Sequence, residues 1–489
     1  YVKINDFLRF GENNSIKVLA KNGAQPNARW YSGTGIYRNV NLLVGEPLHI
    51  KTDGVRISTP DIREDVAVVS VATEVANEAV GFKNGFVVTE IKDGTGGTVA
   101  KERTRFTCFS GGEVTVRQRI YVKNPVFWDL DDPCLYTCET RIELDGKIID
   151  EDANTFGIRS LTLDPDRGLQ LNGKTVKLKG GCIHHDNGIL GAATFEDAEY
   201  RRAKLMKEAG YNSLRSAHHP MSKAMLDACD KLGMLVMDEF YDVWTQAKND
   251  FDYSISFPDS WEEDVELMVK KDYNHPCVVL YSIGNEISEV GSDRSVIWGR
   301  KIAEKIRSLD ATRFITNGIN IMNAIANRRN EILKSMGIEI KGLGLESGEI
   351  NQIMADLHEA MNKFVESPLL EEYIEESCGM LDVIGYNYAT SRYEKEQAIS
   401  QNRIVVGSET FPAALDENWE LVTKHGYILG DFSWTAWDYL GEVGIGHVGY
   451  DDDRNKVFYG SYPWITAYCA DFDITGYRRP ISYWREIIW

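Results

Sequence analysis

The sequence predicts a multidomain α/β protein in which a (β/α)8 TIM barrel follows β-rich domains. Three observations support this fold class. At roughly 150 residues per domain, a chain of 489 residues holds two to four domains. Its first third consists of short runs with alternating apolar and polar residues, which is typical of a β-sandwich. After about residue 160, short apolar runs alternate with helical stretches, which indicates βα units around a parallel sheet.

The composition excludes several kinds of partner. The formal net charge is −20 and no run of Lys and Arg occurs, so no nucleic-acid partner is expected. No stretch of about 18 consecutive apolar residues occurs, so no membrane span is expected, and the acidic chain suits anionic membrane surfaces poorly. Aromatic residues make up 11% of the chain, which fits core packing or stacking on sugar rings.

Eight cysteines are scattered between Cys108 and Cys469 without a CxxC pair. This spacing is typical of reduced thiols rather than of a disulfide framework, and it supplies no zinc site. A cytoplasmic location is therefore predicted.

Residues 1–46 are expected to be short β-strands, including one at Val40–Val44 after a glycine-punctuated loop at 30–38. The first residue is Tyr1, and the text begins inside a β-pattern. We therefore expect a fragment that starts within a β-domain, so the absence of a signal peptide carries no information.

Residues 47–159 contain about seven alternating runs, among them AVVSVATEV and EVTVRQRIYV. This density of short strands predicts an immunoglobulin-like sandwich. The glycine-rich stretch 94–97 is followed by no helix, so it is expected to be a loop and not a phosphate cradle.

Residues 160–489 are predicted to form the barrel. The expected strands are at 176–185, 212–218, 235–241, 277–286, 314–319, 381–388, 403–409 and 430–439, and the clearest helices are near 196–209, 221–232, 260–273 and 295–308. The stretch 320–380 is the largest insertion. A doubly wound sheet is the alternative, but no GxGxxG follows an early strand.

Catalytic residues of such barrels lie at the carboxyl ends of the strands. The polar or aromatic residues found there are His184, His185, Arg215, His218, His219, Asp238, Glu239, Asn285, Glu286, Asn320, Asn387, Tyr388, Glu409, Trp434 and Asp438. A purely structural barrel does not need them, so we expect an active site at this end.

Two glutamates stand out because each closes an apolar strand: Glu286 in Ser-Ile-Gly-Asn-Glu and Glu409 in Val-Gly-Ser-Glu. Their strands, the fourth and the seventh, face each other across the barrel mouth. Paired carboxylates suit glycoside hydrolysis, in which one protonates the leaving oxygen and the other attacks or activates water. Two buried, salt-bridged glutamates are the structural alternative, but Asn285 and the aromatic rim favour catalysis.

The paired histidines at 184–185 and 218–219 could begin a barrel metal site. A carboxylate ligand set cannot be completed around them, so hydrogen bonds to sugar hydroxyls or within the protein are favoured. Asp238 and Glu239 suit support of neighbouring residues as well as substrate contact.

A series of motifs in this order resembles glycoside hydrolase family 2, which includes β-galactosidases, β-glucuronidases and β-mannosidases. The motifs are WYSGTGIYRNVNL at 30–42, GGCIHHDNGILGAA at 180–193, SLRSAHHP at 213–220, LVMDEFYDVW at 235–244, SIGNEI at 282–287, DVIGYNYA at 382–389, VGSETFP at 406–412 and GDFSWTAWDYLGE at 430–442. The resemblance implies the end of a jelly-roll sugar-binding-like domain at 1–46, the sandwich at 47–159 and the catalytic barrel at 160–489.

The resemblance also implies a retaining mechanism with Glu409 as nucleophile and Glu286 as general acid/base. Such a pair stands about 5–5.5 Å apart, against roughly 6.5–9.5 Å in inverting enzymes. Because an acid must keep its proton near neutral pH, we expect a raised pKa for Glu286.

Six further residues match family positions that line the sugar site: Asn285, His185, Asp186, His218, Tyr388 and Trp434. Asn285 resembles the asparagine that binds the sugar 2-hydroxyl, and Tyr388 the tyrosine that hydrogen-bonds the nucleophile. His218 resembles a histidine near the reacting sugar, and Trp434 the aromatic floor of its subsite.

The family's glucuronidases hold the sugar carboxylate with an Asn-x-Lys pair near the last barrel loop. Here Asn455 and Lys456 are adjacent, and three aspartates at 451–453 would repel a carboxylate. A terminal β-galactoside is therefore favoured over a β-glucuronide or β-galacturonide, for which Arg478 or Arg479 could supply charge. Mannosides come third.

The metal-ligand pattern of the family's metal-dependent β-galactosidases is not met at 239–244, so no metal and no cofactor are expected. The expected partner is a carbohydrate substrate, a homo-oligomer is a possible assembly, and the insertion is expected to shape the aglycone side. A catalytically inactive carbohydrate-binding protein is the alternative from another class. It would show damage at one carboxylate, whereas both are intact.

Overall fold

A computed structural model describes residues 2–325, 365, 368–446 and 464–489. Within them, two antiparallel sheets precede a closed barrel of eight parallel strands. The predicted sandwich and barrel are thereby confirmed, while the domain boundaries at 46/47 and 159/160 stay predictions. Most of the insertion 320–380 and the whole stretch 451–456 lie outside the described residues.

The sandwich contains β1 Leu48–Ile62, β2 Val66–Asn77, β3 Lys83–Lys92, β4 Thr98–Cys108, β5 Gly112–Lys123, β6 Tyr136–Leu144 and β7 Lys147–Phe156. One sheet has the order β1-β2-β5 and the other β4-β3-β6-β7. In β5, Val116, Ile120 and Val122 are buried, whereas Arg117 and Tyr121 face solvent. Alternate side chains thus fill the space between the sheets.

Strands β4 and β7 lie at the two edges of their sheet, and sequence reasoning did not single them out. Most of their side chains are exposed or half-exposed, so their apolar alternation is weak. Strand β1 is continuous, but its register with β2 shifts between Ile50 and Val55. The stretch 94–97 is a turn between β3 and β4, in which Gly96 N donates to Asp93 O at 2.9 Å.

The barrel strands are β11 Leu178–Ile183, β12 Ser213–Ser216, β13 Leu235–Glu239, β14 Val278–Asn285, β15 Phe314–Asn320, β16 Ile384–Asn387, β17 Val405–Thr410 and β18 Ile428–Ser433. Each overlaps a predicted strand, and β18 pairs with β11 to close the barrel. A small antiparallel sheet of β8 Leu161–Asp164, β9 Gly168–Leu171 and β10 Lys174–Thr175 precedes it.

The described helices are α1 Glu196–Glu208, α2 Lys223–Leu232, α3 Phe257–Asp272, α4 Asp293–Leu309, α5 Ile321–Ala324, α6 Pro368–Gly379, α7 Tyr393–Ile399, α8 Leu415–Lys424 and α9 Pro480–Ile488. Helix α2 shows how local sequence sets an end. The Ser222 hydroxyl accepts from Met225 N, and Gly233 ends the helix in a left-handed conformation. Among the described residues, no helix combines the length and apolar character that crossing a membrane requires.

The sandwich and the barrel are joined by buried contacts. Trp128 is fully buried in the barrel's hydrophobic core, and its indole nitrogen donates to Asp230 O at 2.8 Å. Arg159 donates to the backbone oxygens of Pro276 and Val278 at 2.7 and 2.9 Å. These bonds fix the sandwich against the barrel near the beginning of β14.

Residues 2–47 contain no strand, so the short strands predicted for 1–46, including Val40–Val44, are wrong. A strand needs a neighbouring strand for its backbone groups. The segment instead bonds to barrel loops, with a single isolated bridge between Trp30 and Gly441.

Candidate active site

The segment 26–38 partly covers the mouth that the carboxyl ends of the barrel strands form. Tyr31 N donates to Leu440 O at 3.0 Å, which joins the segment to the loop after β18. Arg38 donates to Pro220 O at 2.8 Å, which joins it to the loop after β12. Trp30 lies between these two anchors with its ring 5.1 Å from that of His184.

Glu286 and Glu409 both lie at this mouth, where the sequence predicts them. Glu286 directly follows β14, and Glu409 lies near the end of β17 on the other side of the barrel. Both are nearly fully buried, at 8% and 3% exposure. Glu286 has φ of 46°, a strained conformation for a residue with a side chain. A bond from Glu286 N to Gly318 O at 2.7 Å holds it there.

Arg215, on β12, links the two sides of the pocket from its buried base. Its Nη1 donates to Glu409 Oε1 at 2.9 Å, and its Nη2 donates to Glu239 Oε2 at 2.7 Å and to Asn285 Oδ1 at 2.9 Å. Two carboxylates therefore compensate one fully buried cation. Arg215 fixes both the orientation of Glu409 and that of Asn285.

The two oxygens of Glu286 have different surroundings. Oε1 accepts from Asn320 Nδ2 at 2.7 Å and from Asn387 Nδ2 at 3.3 Å. Asn387 also donates to Asn285 Oδ1 at 3.0 Å, so one amide ties Asn285 to Glu286. Oε2 instead faces Arg29, 3.8 Å from its Nη2.

His218 and Tyr388 flank Glu409. His218 Nδ1 bonds to Glu239 Oε1 at 2.9 Å, which turns its Nε2 toward Glu409 Oε1 at 3.7 Å. The ring of Trp434 stacks on His218 with centroids 5.2 Å apart and an interplanar angle of 2°. Tyr388 N donates to Glu409 O at 2.8 Å, which fixes Tyr388 beside Glu409.

Asp238 and Glu239, whose roles the sequence leaves open, both hold other residues in place. Glu239 is fully buried and accepts from Arg215 and from Ser282 Oγ at 2.6 Å. Asp238 accepts from Ser216 Oγ and from Met221 N, both at 2.7 Å.

The neighbouring histidines of the first strand point to different places. His185 Nδ1 lies 2.7 Å from His219 Nε2, and its ring contacts Tyr37. His184 instead lies among the rings of Trp30, His218, Trp434 and Tyr439. Its two nitrogens are buried and have no hydrogen-bond partner among the described residues.

Asp186 holds a loop beside the pocket. Its carboxylate accepts from Leu440 N at 3.3 Å. Burial raises its pKa to about 6. Asp186 thus connects the loop after β11 with the loop after β18.

The ionisation of the two glutamates differs from the sequence expectation, and the raised pKa predicted for Glu286 is wrong. Burial alone would raise it, but Arg29 and then Lys248 hold the pKa of Glu286 below its ordinary value. Burial and the charge of Glu286 raise the pKa of Glu409, against the opposing effect of Arg215. The sequence expectation considered only the two carboxylates and did not include Arg29.

Arg478 and Arg479 are both paired with other protein groups. Arg479 Nη2 donates to Asp438 Oδ2 at 2.7 Å and Nη1 to Ala470 O at 3.0 Å. Arg478 donates to Ser482 Oγ at 2.8 Å and pairs with Glu486. Both arginines stabilise the chain around α9.

One group in the described part of the chain has the spacing of metal ligands: Asp230, His275 and Cys277. It lies beside the start of β14, at the opposite end of that strand from Glu286. His275 Nδ1 bonds to Asp230 Oδ2 at 2.6 Å, and Cys277 N donates to Asp230 Oδ1 at 3.0 Å. These bonds satisfy the buried carboxylate without an ion.

Sequence reasoning found the residues that close the strands but missed the roles of others that the structure places in the pocket. The sequence puts Arg215 and Asn387 at strand ends without assigning either a role, although an arginine inside an otherwise uncharged strand is a usable signal. Arg29 carries no such signal, because it lies in a loop that is far from the barrel strands in the sequence.

A barrel whose mouth holds two buried glutamates amid histidines and aromatic rings is the arrangement expected of a glycoside hydrolase. Comparison with known proteins agrees. The family model described as "Glycosyl hydrolases family 2, TIM barrel domain" matches residues 165–402, and the one described as "Glycosyl hydrolases family 2" matches residues 48–159. The chain belongs to glycoside hydrolase family 2.

Individual relatives carry different names. The β-galactosidase BoGH2A of Bacteroides ovatus is 31% identical over 99% of this chain and 58% of its own length. A putative β-glucuronidase of Formosa agariphila is 27% identical over 99% of this chain and 45% of its own. The crystal structure of a family member from Bacteroides cellulosilyticus matches with a TM-score of 0.82 and 36% identity, over 99% of this chain and 56% of that one. The chain spans about half the length of these relatives.

Proposed function

We propose that this chain is a retaining exo-β-glycosidase that hydrolyses terminal β-galactosides. The observation that carries the proposal is the pair Glu286 and Glu409, which are buried at two strand ends of the barrel mouth. Hydrogen bonds through Asn387, Asn285 and Arg215 connect the two glutamates. The name of the Bacteroides ovatus relative supports galactose as the sugar. Because the chain spans about half the length of these relatives, hydrolysis of a β-galactoside by the whole protein is itself a proposal.

In the first step, the Glu409 carboxylate attacks the anomeric carbon, and Glu286 delivers its proton to the glycosidic oxygen as the carbon–oxygen bond breaks. The sugar becomes an ester of Glu409, and the aglycone leaves as an alcohol. In the second step, Glu286 takes a proton from water, the water oxygen attacks the anomeric carbon, and Glu409 leaves as a carboxylate. Two displacements return the β-configuration.

The contacts of Glu409 suit a nucleophile. Arg215 donates to its carboxylate, and Tyr388 N donates to its backbone oxygen, so both hold it in place. Asn285, beside the acid/base, has its amide oxygen bound by Arg215 and its Nδ2 bound to Asp242 at 2.8 Å. We propose that this fixed amide contacts the sugar 2-hydroxyl.

We propose that the sugar stacks against Trp434 and donates or accepts hydrogen bonds at His218 and His184. A buried imidazole without a protein partner is costly, and a sugar hydroxyl supplies that partner. This adds His184 to the proposed binding residues; His185 and Asp186, which contact other protein groups, would act by shaping the loop around them.

A β-uronide is the second candidate because relatives carry the name β-glucuronidase. Arg478 and Arg479 do not support it, since both are paired with other groups. Binding of a uronide would require another positively charged residue to hold the sugar carboxylate.

The test is hydrolysis of nitrophenyl β-galactoside against nitrophenyl β-glucuronide by the parent chain, Glu286→Gln and Glu409→Gln. We expect a galactoside preference of about tenfold or more in kcat/KM, equivalent to about 1.4 kcal/mol. Each variant should lose roughly a hundredfold or more of activity. A glucuronide preference would overturn the sugar assignment, and substantial activity in Glu409→Gln would overturn the mechanism.

A further inference from the structure

Arg29 comes from outside the barrel and reaches the oxygen of Glu286 that the asparagines leave free. Its Nη2 lies 3.8 Å from both Glu286 Oε2 and Asp242 Oδ1, and its Nη1 lies 3.5 Å from Glu442 Oε1. The side chain is 25% exposed. One guanidinium thus joins three carboxylates from three different strand ends.

The backbone around Arg29 is held close to the barrel. Trp30 forms a bridge with Gly441, whose φ is +94°. A Cβ at position 441 would lie 2.8 Å from Trp30 Cα, so only glycine permits this approach. The position of Arg29 therefore depends on a specific contact between the segment and the loop after β18.

The carboxylates around Arg29 are also fixed. Lys248 Nζ donates to Asp242 Oδ1 at 2.7 Å, and Asn285 Nδ2 donates to the same atom at 2.8 Å. The Tyr439 hydroxyl bonds to Glu442. Arg29 consequently lies in a preformed acidic cradle rather than in a mobile ion pair.

We propose that Arg29 is a positioning residue of the acid/base. It holds Glu286 Oε2 toward the leaving group, and it sets the balance between the protonated form of Glu286, which acts in the first step, and the ionised form, which acts in the second. This rests on the proposed function, in which Glu286 is the acid/base.

Electrostatics give the direction of the effect. The charged or titratable groups that face Glu286 are Arg29 from the segment, Asp242 and Lys248 after β13, Glu442 after β18, Glu409 and Tyr388 across the pocket, and Arg215 and His218 at its base. Arg29 is the largest favourable charge for the Glu286 anion and lowers its pKa. It therefore favours the base form, which removes a proton from water, over the acid form, which protonates the leaving group.

The test is the pH dependence of kcat/KM for Arg29→Gln, with whichever nitrophenyl glycoside the parent chain hydrolyses. The two apparent pKa values that bound the profile belong to the coupled pair Glu286 and Glu409. Loss of the positive charge should raise their sum by about one unit or more. Arg29→Lys should restore most of the parent profile, and Arg9→Gln, which removes an exposed charge from the same N-terminal region, should leave it unchanged. An unchanged profile in Arg29→Gln would overturn the proposal.

Glu442→Gln supplies an independent test with the opposite sign. It removes a negative charge and a competitor for Arg29, so the same sum should fall. A rise, or no change, would contradict the role of Arg29 even if Arg29→Gln fails to fold. Glu409→Gln, measured alongside, distinguishes failure of the proposed function from failure of the role of Arg29. Activity in Glu409→Gln would contradict the proposed function itself. An inactive Glu409→Gln together with unchanged pH profiles in Arg29→Gln and Glu442→Gln would contradict only the role of Arg29.

Discussion

Single residues of this pocket act in fixed groups, and Arg215 illustrates the reason. Its guanidinium donates to Glu409, Glu239 and Asn285 from a fully buried position, which fixes the orientation of these side chains. Such buried groups need every partner, because an unpaired charge in this environment costs about 3–5 kcal/mol. The site is therefore preorganised before a substrate enters.

The pKa directions of the two glutamates predict an acidic pH optimum. The pKa of Glu286 is lowered and that of Glu409 is raised, whereas the proposed reaction needs the proton on Glu286 and the charge on Glu409. This form exists only while the pair holds one proton, and the lowered pKa of Glu286 means that Glu286 loses its proton at a lower pH than an ordinary glutamate does. We expect kcat/KM to be bell-shaped with its maximum on the acidic side, measured with a nitrophenyl glycoside in buffers of constant ionic strength. A plateau that extends beyond neutral pH would contradict the arrangement of charges.

At this scale the sequence predicts the residues that end apolar strands and misses those whose position depends on the path of the chain. Glu286, Glu409 and Tyr388 were predictable because each closes an apolar strand. His184 and His185 were not distinguishable, because two successive residues after a strand face different sides and either could face the pocket. Arg29 was not predictable, because its contact with Glu286 joins positions far apart in the chain.

Among the elements, the segment 26–38 matters most for the site, although it contains no strand. Its path across the mouth depends on bonds to loops after β12 and β18. The barrel strands were predictable from their apolar runs and polar ends. The path of the segment was not, because its partners are loops that lie far from it in the sequence.

Gly441→Ala tests the docking of this segment. The new Cβ would meet Trp30 Cα at 2.8 Å in a backbone conformation with φ of +94°, so the segment should move away from the barrel. We expect kcat/KM to fall by roughly tenfold or more, because small displacements at an active site are costly. Gly96→Ala is the matched control, with φ of +85° and open space around its Cβ, in a turn of the sandwich. Equal kinetics in both variants would show that the segment does not shape the site.

Strand β18 carries a buried carboxylate whose ionisation lowers the stability of the fold. Asp431 on β18 is buried, neither oxygen has a hydrogen-bond partner among the described residues, and burial raises its pKa from 3.8 to about 6. A raised folded-state pKa means that its contribution to stability is fully present below its ordinary pKa and is lost as the pH rises through about 6. That loss amounts to about 3 kcal/mol.

Asp431→Asn removes this titration. We therefore expect the unfolding free energy of the variant, relative to the parent chain, to increase as the pH rises from the acidic range to neutral. Denaturant unfolding at several pH values measures it. A difference that stays constant with pH would mean that Asp431 is not the buried acid described.

At the scale of the whole molecule, the sandwich, the barrel and the segment 26–38 meet at defined contacts. Trp128 inserts into the barrel core from the sandwich side, and Arg29 reaches the mouth at the other end of the strands. The order of sandwich and barrel was predictable from the change of periodicity near residue 160. The contacts among the sandwich, the barrel and the segment 26–38 were not predictable, because periodicity indicates single elements and not how they pack against one another.

The identity of the nucleophile is the most direct test of the proposed function. The chain would be incubated with the 2-deoxy-2-fluoro dinitrophenyl glycoside of the sugar that it hydrolyses, which slows the second step, and then digested for peptide mapping by mass spectrometry. We predict one fluorosugar bound as an ester within the peptide that contains Glu409, and none in Glu409→Gln. A fluorosugar on Glu286 or Glu239, or turnover without any covalent intermediate and with inversion at the anomeric carbon, would contradict the proposed mechanism.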